Sequence, residues 1–98
     1  MSYAITWSEL ALADIEEIGT YLRREASAER ADYVVEARYE QVNTLANAPY
    51  AFPVAQRRLY RGRQFRMLPK WNYVIHYAVS ESESLIRVVA VEHAHRDT

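Results

Sequence analysis

Ninety-eight residues with no cysteine fit one domain, residues 1–98, and exclude a disulfide framework, a thiolate zinc site and a thiol nucleophile. With 50% hydrophobic and 26% charged residues the composition is that of a globular chain, the lack of cysteine reads as an intracellular, cytoplasmic location or indifference to redox compartment, and no apolar run approaches the ~18 residues of a membrane span or resembles a secretory leader. The net charge of −1 conceals two opposed halves: residues 1–52 hold four basic and nine acidic side chains, residues 53–98 hold eight basic and four acidic.

Tyr3-Ala4-Ile5-Thr6-Trp7 is β-branched and aromatic and reads as a short strand. Ser8 is placed to cap a helix, with Glu9 in its first turn, where a carboxylate complements the helix dipole. Ala11, Ile15, Ile18 and Leu22 then recur at steps of four, three and four, which predicts a helix over about Glu9–Glu25. Gly19 inside it suggests a close approach to another helix. Ser27 caps a second helix, whose period runs through Ala31, Val34 or Val35, Arg38, Val42, Leu45 and Ala46 until Pro49 stops it. The short link at Ala26-Ser27 makes the two helices an antiparallel hairpin.

Pro49 to Pro53 reads as an irregular connector. Three strands are expected after it, at about Gln64–Leu68, Tyr73–Val79 and Leu85–Glu92, with a polar turn at Ser80 to Ser84 before the third. Short links make them an antiparallel meander. The order β-α-α-β-β-β is a two-layer α+β fold, a helical hairpin packed on a sheet.

The basic surplus is concentrated in residues 56–70, where Arg57, Arg58, Arg61, Arg63, Arg66 and Lys70 meet no acid. A solvated face normally mixes signs, so an all-basic run interleaved with Leu59, Tyr60, Phe65 and Trp71 points to an anionic partner. The alternative is a strand face kept charged for solubility. His93 and His95 share a strand face but lack a third ligand at suitable spacing, so no metal and no cofactor is expected. His76, inside Val74-Ile75-His76-Tyr77, reads as a packed, hydrogen-bonded strand residue. His93 or His95 supported by Arg66, Arg87 or Arg96 has the chemistry for phosphodiester cleavage, though no spacing fixes a base or a nucleophile. Of the eight tyrosines, Tyr21, Tyr33 and Tyr39 fall on the helices, either at an interface or covering the helix–sheet edges with the hydroxyl in water.

Five segments in register resemble the ParE-type toxins of the RelE/ParE toxin–antitoxin superfamily, the plasmid stabilisation toxins. They are Ala11-x-x-Asp14-Ile15-x-x-Ile18-x-x-Tyr21 after a short strand, Leu45-Ala46-x-x-Pro49, Arg63 to Pro69, Tyr73 to Tyr77, and Val88-x-x-Val91-x-His93-Ala94-His95-Arg96-Asp97. The resemblance spans nearly the whole chain and implies the toxin of a type II pair. Such a toxin is neutralised by a small ParD-like antitoxin and touches DNA only through it, and ParE-like members act on DNA gyrase to block replication. RelE-like members instead cut messenger RNA on the ribosome, with basic strand residues and usually a Tyr near the C-terminus. This chain has a single Lys and no Tyr after Tyr77, which favours the gyrase-directed, non-enzymatic branch. In that reading Arg57, Arg58, Leu59, Arg61, Arg63, Phe65 and Trp71 receive an acidic antitoxin tail, and His93, His95 and Arg96 face the target. In the rival, RNA-cleaving reading, Arg66, Arg87, His93 and Arg96 carry the chemistry.

Overall fold

Ser8 begins the helical layer: its Oγ accepts the Ala11 N–H at 3.0 Å, and α1 (Glu9–Glu25) comes directly after it. Ser27 repeats the device, accepting the Arg30 N–H at 3.0 Å to open α2 (Ala28–Asn43). α2 tightens into a single 3-10 turn at Thr44–Asn47 before the chain leaves the layer. Ala11, Ile15 and Gly19 of α1 and Ala31, Val34, Arg38 and Val42 of α2 are buried, as the period of the sequence requires. A Cβ placed on Gly19 would lie 3.4 Å from Val35 of α2. The helices therefore do come close there, yet an alanine would be accommodated.

The computed structural model describes residues 2–52, 54–60, 63–70 and 72–93. Its sheet has five strands, β1 (Ala4–Trp7), β2 (Val54–Tyr60), β3 (Arg63–Lys70), β4 (Tyr73–Ser80) and β5 (Leu85–His93), in spatial order β1-β5-β4-β3-β2. β2 to β5 form an antiparallel meander, and β1 adds to β5 in parallel, Ala4 opposite Leu85 through Trp7 opposite Val88. The α+β class, the helical hairpin and all four expected strands stand as read from the sequence, within one or two residues at their ends. β2 is the correction: where an irregular connector leading directly into one strand was expected, residues 54–60 form a further strand paired with β3. It escapes an alternation test because its pairing is offset, running from Val54 opposite Arg66 to Leu59 opposite Gln64. β3 also runs on through Pro69, past the last β2 pairing, where it is bonded on one side only and proline is tolerated.

The core lies between the layers. Ala11, Ile15, Val42 and Leu45 from the helical side pack on Leu68, Ile75, Tyr77, Ile86, Val88 and Val91 of the sheet, with the Tyr39 ring tilted against Trp7 at a ring-centroid distance of 4.9 Å. Val88 and Val91 both enter this core although they are three residues apart on a strand. The reason is a bulge: His76 is registered with Ala90 and Tyr77 with Val88, leaving Val89 as an extra residue in β5. Among the described residues no helix is long and apolar enough to cross a membrane.

Candidate functional site

Cross-strand partners share a face, so the register assigns every described sheet residue to one of two surfaces. On the surface covered by the helices, Arg66 stands opposite Tyr77, and Tyr77 opposite Val88. Both polar groups are turned onto the connector after α2. The Tyr77 hydroxyl donates to the Pro49 carbonyl at 3.1 Å, and Arg66 Nη1 donates to the Phe52 carbonyl at 2.6 Å. The same guanidinium lies over the Tyr50 ring, 4.8 Å from its centroid. Burial pushes the Tyr77 hydroxyl above the usual tyrosine range, with the nearby Arg66 charge pulling the other way. Alongside, the Tyr3 hydroxyl donates to Glu81 Oε1 at 2.6 Å, tying the first strand to the β4–β5 turn. Hydrogen bonds from Tyr3 and Tyr50 hold the Glu81 carboxyl below the ordinary glutamate range, and the Tyr3 hydroxyl is raised by the same pairing.

At the other end of the covered surface Arg38 is fully buried on α2. Its guanidinium lies 5.2 Å from the Tyr73 ring centroid and donates to Gln41 Oε1 at 3.3 Å. Burial lowers its pKa from the ordinary arginine value.

The opposite surface carries no helix among the described residues. Four rows cross it: Pro69, Val74 and Glu92, then Met67, His76 and Ala90, then Ala78, Arg87 and Thr6, then Ser80, Leu85 and Ala4, with Phe65 continuing the β3 column. Its centre is polar in one place. The ring of His76, 5% exposed, lies 2.7 Å through Nε2 from Glu92 Oε1. Arg87, between Thr6 of β1 and Ala78 of β4, is exposed, and Phe65, expected as an anchor for a partner, is buried at 6% exposure.

The residues singled out from the sequence are therefore distributed, not gathered. Arg66 and Arg87 occupy opposite faces of the sheet, because Arg66 shares a row with Tyr77 and Val88 while Arg87 pairs with Ala78. Arg57, Arg58 and Leu59 stand on β2, the outer strand of the sheet, and Arg63 opens β3 opposite Tyr60, so these four positions lie at one edge of the sheet. His93 ends β5 opposite Tyr73. Arg61, Trp71, His95 and Arg96 lie outside the described residues. Of the helical tyrosines, Tyr21 and Tyr33 are exposed at 51% and 57%.

One working residue was given no role of its own in the sequence. Asp14 Oδ2 accepts the Val91 N–H at 2.9 Å, joining α1 to the bulged part of β5. The available signal was an acid set inside the apolar stripe of a helix, between Ala11 and Ile15.

A two-layer fold with this strand order defines a class before it defines a member. The structure is similar to the toxin–antitoxin structure of the chromosomal ParDE system from P. aeruginosa, with 18% identity, a TM-score of 0.75 and coverage of 96% of this chain and 98% of that one. It is also similar to the RelBE2 toxin–antitoxin complex from Mycobacterium tuberculosis, at 13% identity, TM-score 0.69 and coverage of 95% and 99%. The isolated E. coli RelE toxin matches at 16% identity, TM-score 0.68 and coverage of 98% and 88%. At these identities the likeness establishes the fold. No curated protein matches the sequence at a significant level. The family model for the ParE toxin of the type II toxin–antitoxin system, parDE, matches residues 5–98, and the chain belongs to that family.

Proposed function

We propose that this chain is the toxin of a cytoplasmic type II pair, held inactive by a small ParD-like antitoxin and acting on DNA gyrase as a protein inhibitor, not as an enzyme. The observation that carries the reading is the ParE family match over residues 5–98. The geometry adds support. Phosphodiester cleavage needs cations and an acid or base converging on one phosphate, whereas Arg66 and Arg87 lie on opposite faces and Arg66 is engaged with the Phe52 carbonyl and the Tyr50 ring. The antitoxin docks on the basic edge built by β2 and the start of β3, where Arg57, Arg58, Arg61, Arg63 and Leu59 meet an acidic, apolar-anchored tail. His93, His95 and Arg96, at and beyond the end of β5, face the target.

Purified protein added to gyrase and, separately, to ribosomes programmed with messenger RNA separates the two chemistries. Inhibition of supercoiling with intact message is expected; cleaved message with unimpaired supercoiling overturns the gyrase reading. For the antitoxin edge, neutralising Arg57, Arg58 and Arg61 to Gln should weaken binding to the antitoxin and flatten its salt dependence. An unchanged affinity and salt slope removes that edge from the interface.

A further inference from the structure

β1 pairs with β5 only as far as Val88, yet β5 continues to His93. Beyond that point the outer edge of β5 would present unpaired backbone groups beside the helical layer. The start of α1 takes them up in turn. The Ser8 N–H donates to the Val88 carbonyl at 2.9 Å, the Ser8 hydroxyl donates to the Val89 carbonyl at 2.9 Å, and Asp14 accepts the Val91 N–H at 2.9 Å. These three bonds bracket the extra residue of the bulge, Val89.

The bulge decides a face. With it, His93 is registered with Tyr73, while Glu92 joins Val74 and His76 on the helix-free surface. Were the pairing of Tyr77 with Val88 continued without the extra residue, Tyr73 would face Glu92, and every residue from 90 onward would change sides. A bulge re-aims the side chains on its C-terminal side.

We propose that Asp14, with Ser8, is a positioning residue for the end of β5: by holding the bulge, the pair fixes the register in which residues 90–93 meet β4. Its consequence for growth inhibition rests on the proposed assignment of His93, His95 and Arg96 to the target-facing end of the molecule.

The absence of cysteine gives a clean test, because opposed strand positions can be cross-linked in an otherwise thiol-free chain. In the parent, the Tyr73→Cys/His93→Cys pair should oxidise and the Tyr73→Cys/Glu92→Cys pair should not. Adding Asp14→Ala should shift cross-linking toward the second pair. Asp14→Asn, which keeps an accepting oxygen, should preserve the parent pattern. Ser8→Gly is a milder variant, since glycine is tolerated at a helix start, and should shift the pattern in the same direction. In cells, Asp14→Ala should weaken growth inhibition roughly tenfold, the scale of one buried hydrogen bond, and Asp14→Asn should restore it. If Asp14→Ala and Ser8→Gly lower only the melting temperature and leave the cross-linking register unchanged, the inference is overturned. Removal of residues 93–98 tests the underlying assignment separately. If growth inhibition survives that truncation the target-facing assignment falls, while the cross-link still decides the role of Asp14.

Discussion

The two faces of the sheet use their polar residues differently. On the covered face each has a local occupation: Tyr77 and Arg66 bind connector carbonyls, Arg38 lies against Tyr73 and Gln41, and Asp14 takes a strand amide. On the helix-free face the described polar groups of β1, β4 and β5 are the His76–Glu92 pair, an exposed Arg87 with Thr6 beside it, and Ser80. The contrast shows that charge type alone does not identify a working residue. Arg66 and Arg87 carry the same group on neighbouring strand rows, but one is committed to architecture and the other remains available to a partner.

The strongest way to break this contrast is to empty the covered face. Tyr77→Ala removes a fully buried aromatic and should cost about 3–5 kcal/mol in denaturant unfolding; a loss below about 1 kcal/mol means that the ring is not part of the core. Arg66→Met keeps the aliphatic stem and loses the bond to Phe52, so about 1–2 kcal/mol is expected, together with faster hydrogen exchange in the connector and β2. Unaltered exchange would detach Arg66 from the connector. Arg87→Glu should leave stability within about 0.5 kcal/mol, because the side chain is exposed, and any loss of partner binding would then be a surface effect. A large drop in stability would erase the difference between the faces.

The smallest effect is a change of slope with pH. Glu81 has its folded pKa depressed by the Tyr3 and Tyr50 hydroxyls. Its contribution is therefore present above the unfolded glutamate pKa and is lost as pH falls through the folded value. Tyr3→Phe should remove part of that contribution at neutral pH and so flatten the acid limb of the stability curve, leaving the most acidic region nearly unmoved. A limb as steep as the parent's would place the acid sensitivity elsewhere.

The helical layer was legible because it obeys one period. Ala11, Ile15, Ala31, Val34, Val42 and Leu45 fall on the buried stripes, and Arg38 falls there with them, a charged residue at an apolar position. β2 was not legible, since Gln56-Arg57-Arg58 places polar groups on successive positions of an outer strand and the offset pairing removes the alternation. What did mark it was the spacing between Tyr60 and Arg63, two intervening residues that include Gly62, which is a hairpin signal. His76 was readable as a packed strand residue, but its partner Glu92 was not, because the bulge that brings them onto one face has no sequence period. The separation of Arg66 from Arg87 was hidden for the same reason: adjacent strand rows alternate sides only once the register is known.

The parallel pairing of β1 with β5 has a consequence for how the toxin is made. Ser8 and Val89 lie 81 residues apart, and β5 enters the sheet between β1 and β4, the strand made first and the strand made just before it. Contacts of such long sequence separation form late, after the loop-closure entropy of the intervening chain has been overcome. During synthesis the helical hairpin emerges with its apolar stripe uncovered and β1 without its neighbour, and the covered face can close only when β5 arrives. A chain cut short before residue 85 lacks the seat for β1. The order of emergence from the ribosome thus keeps the two layers open until residues 85–93 have been made.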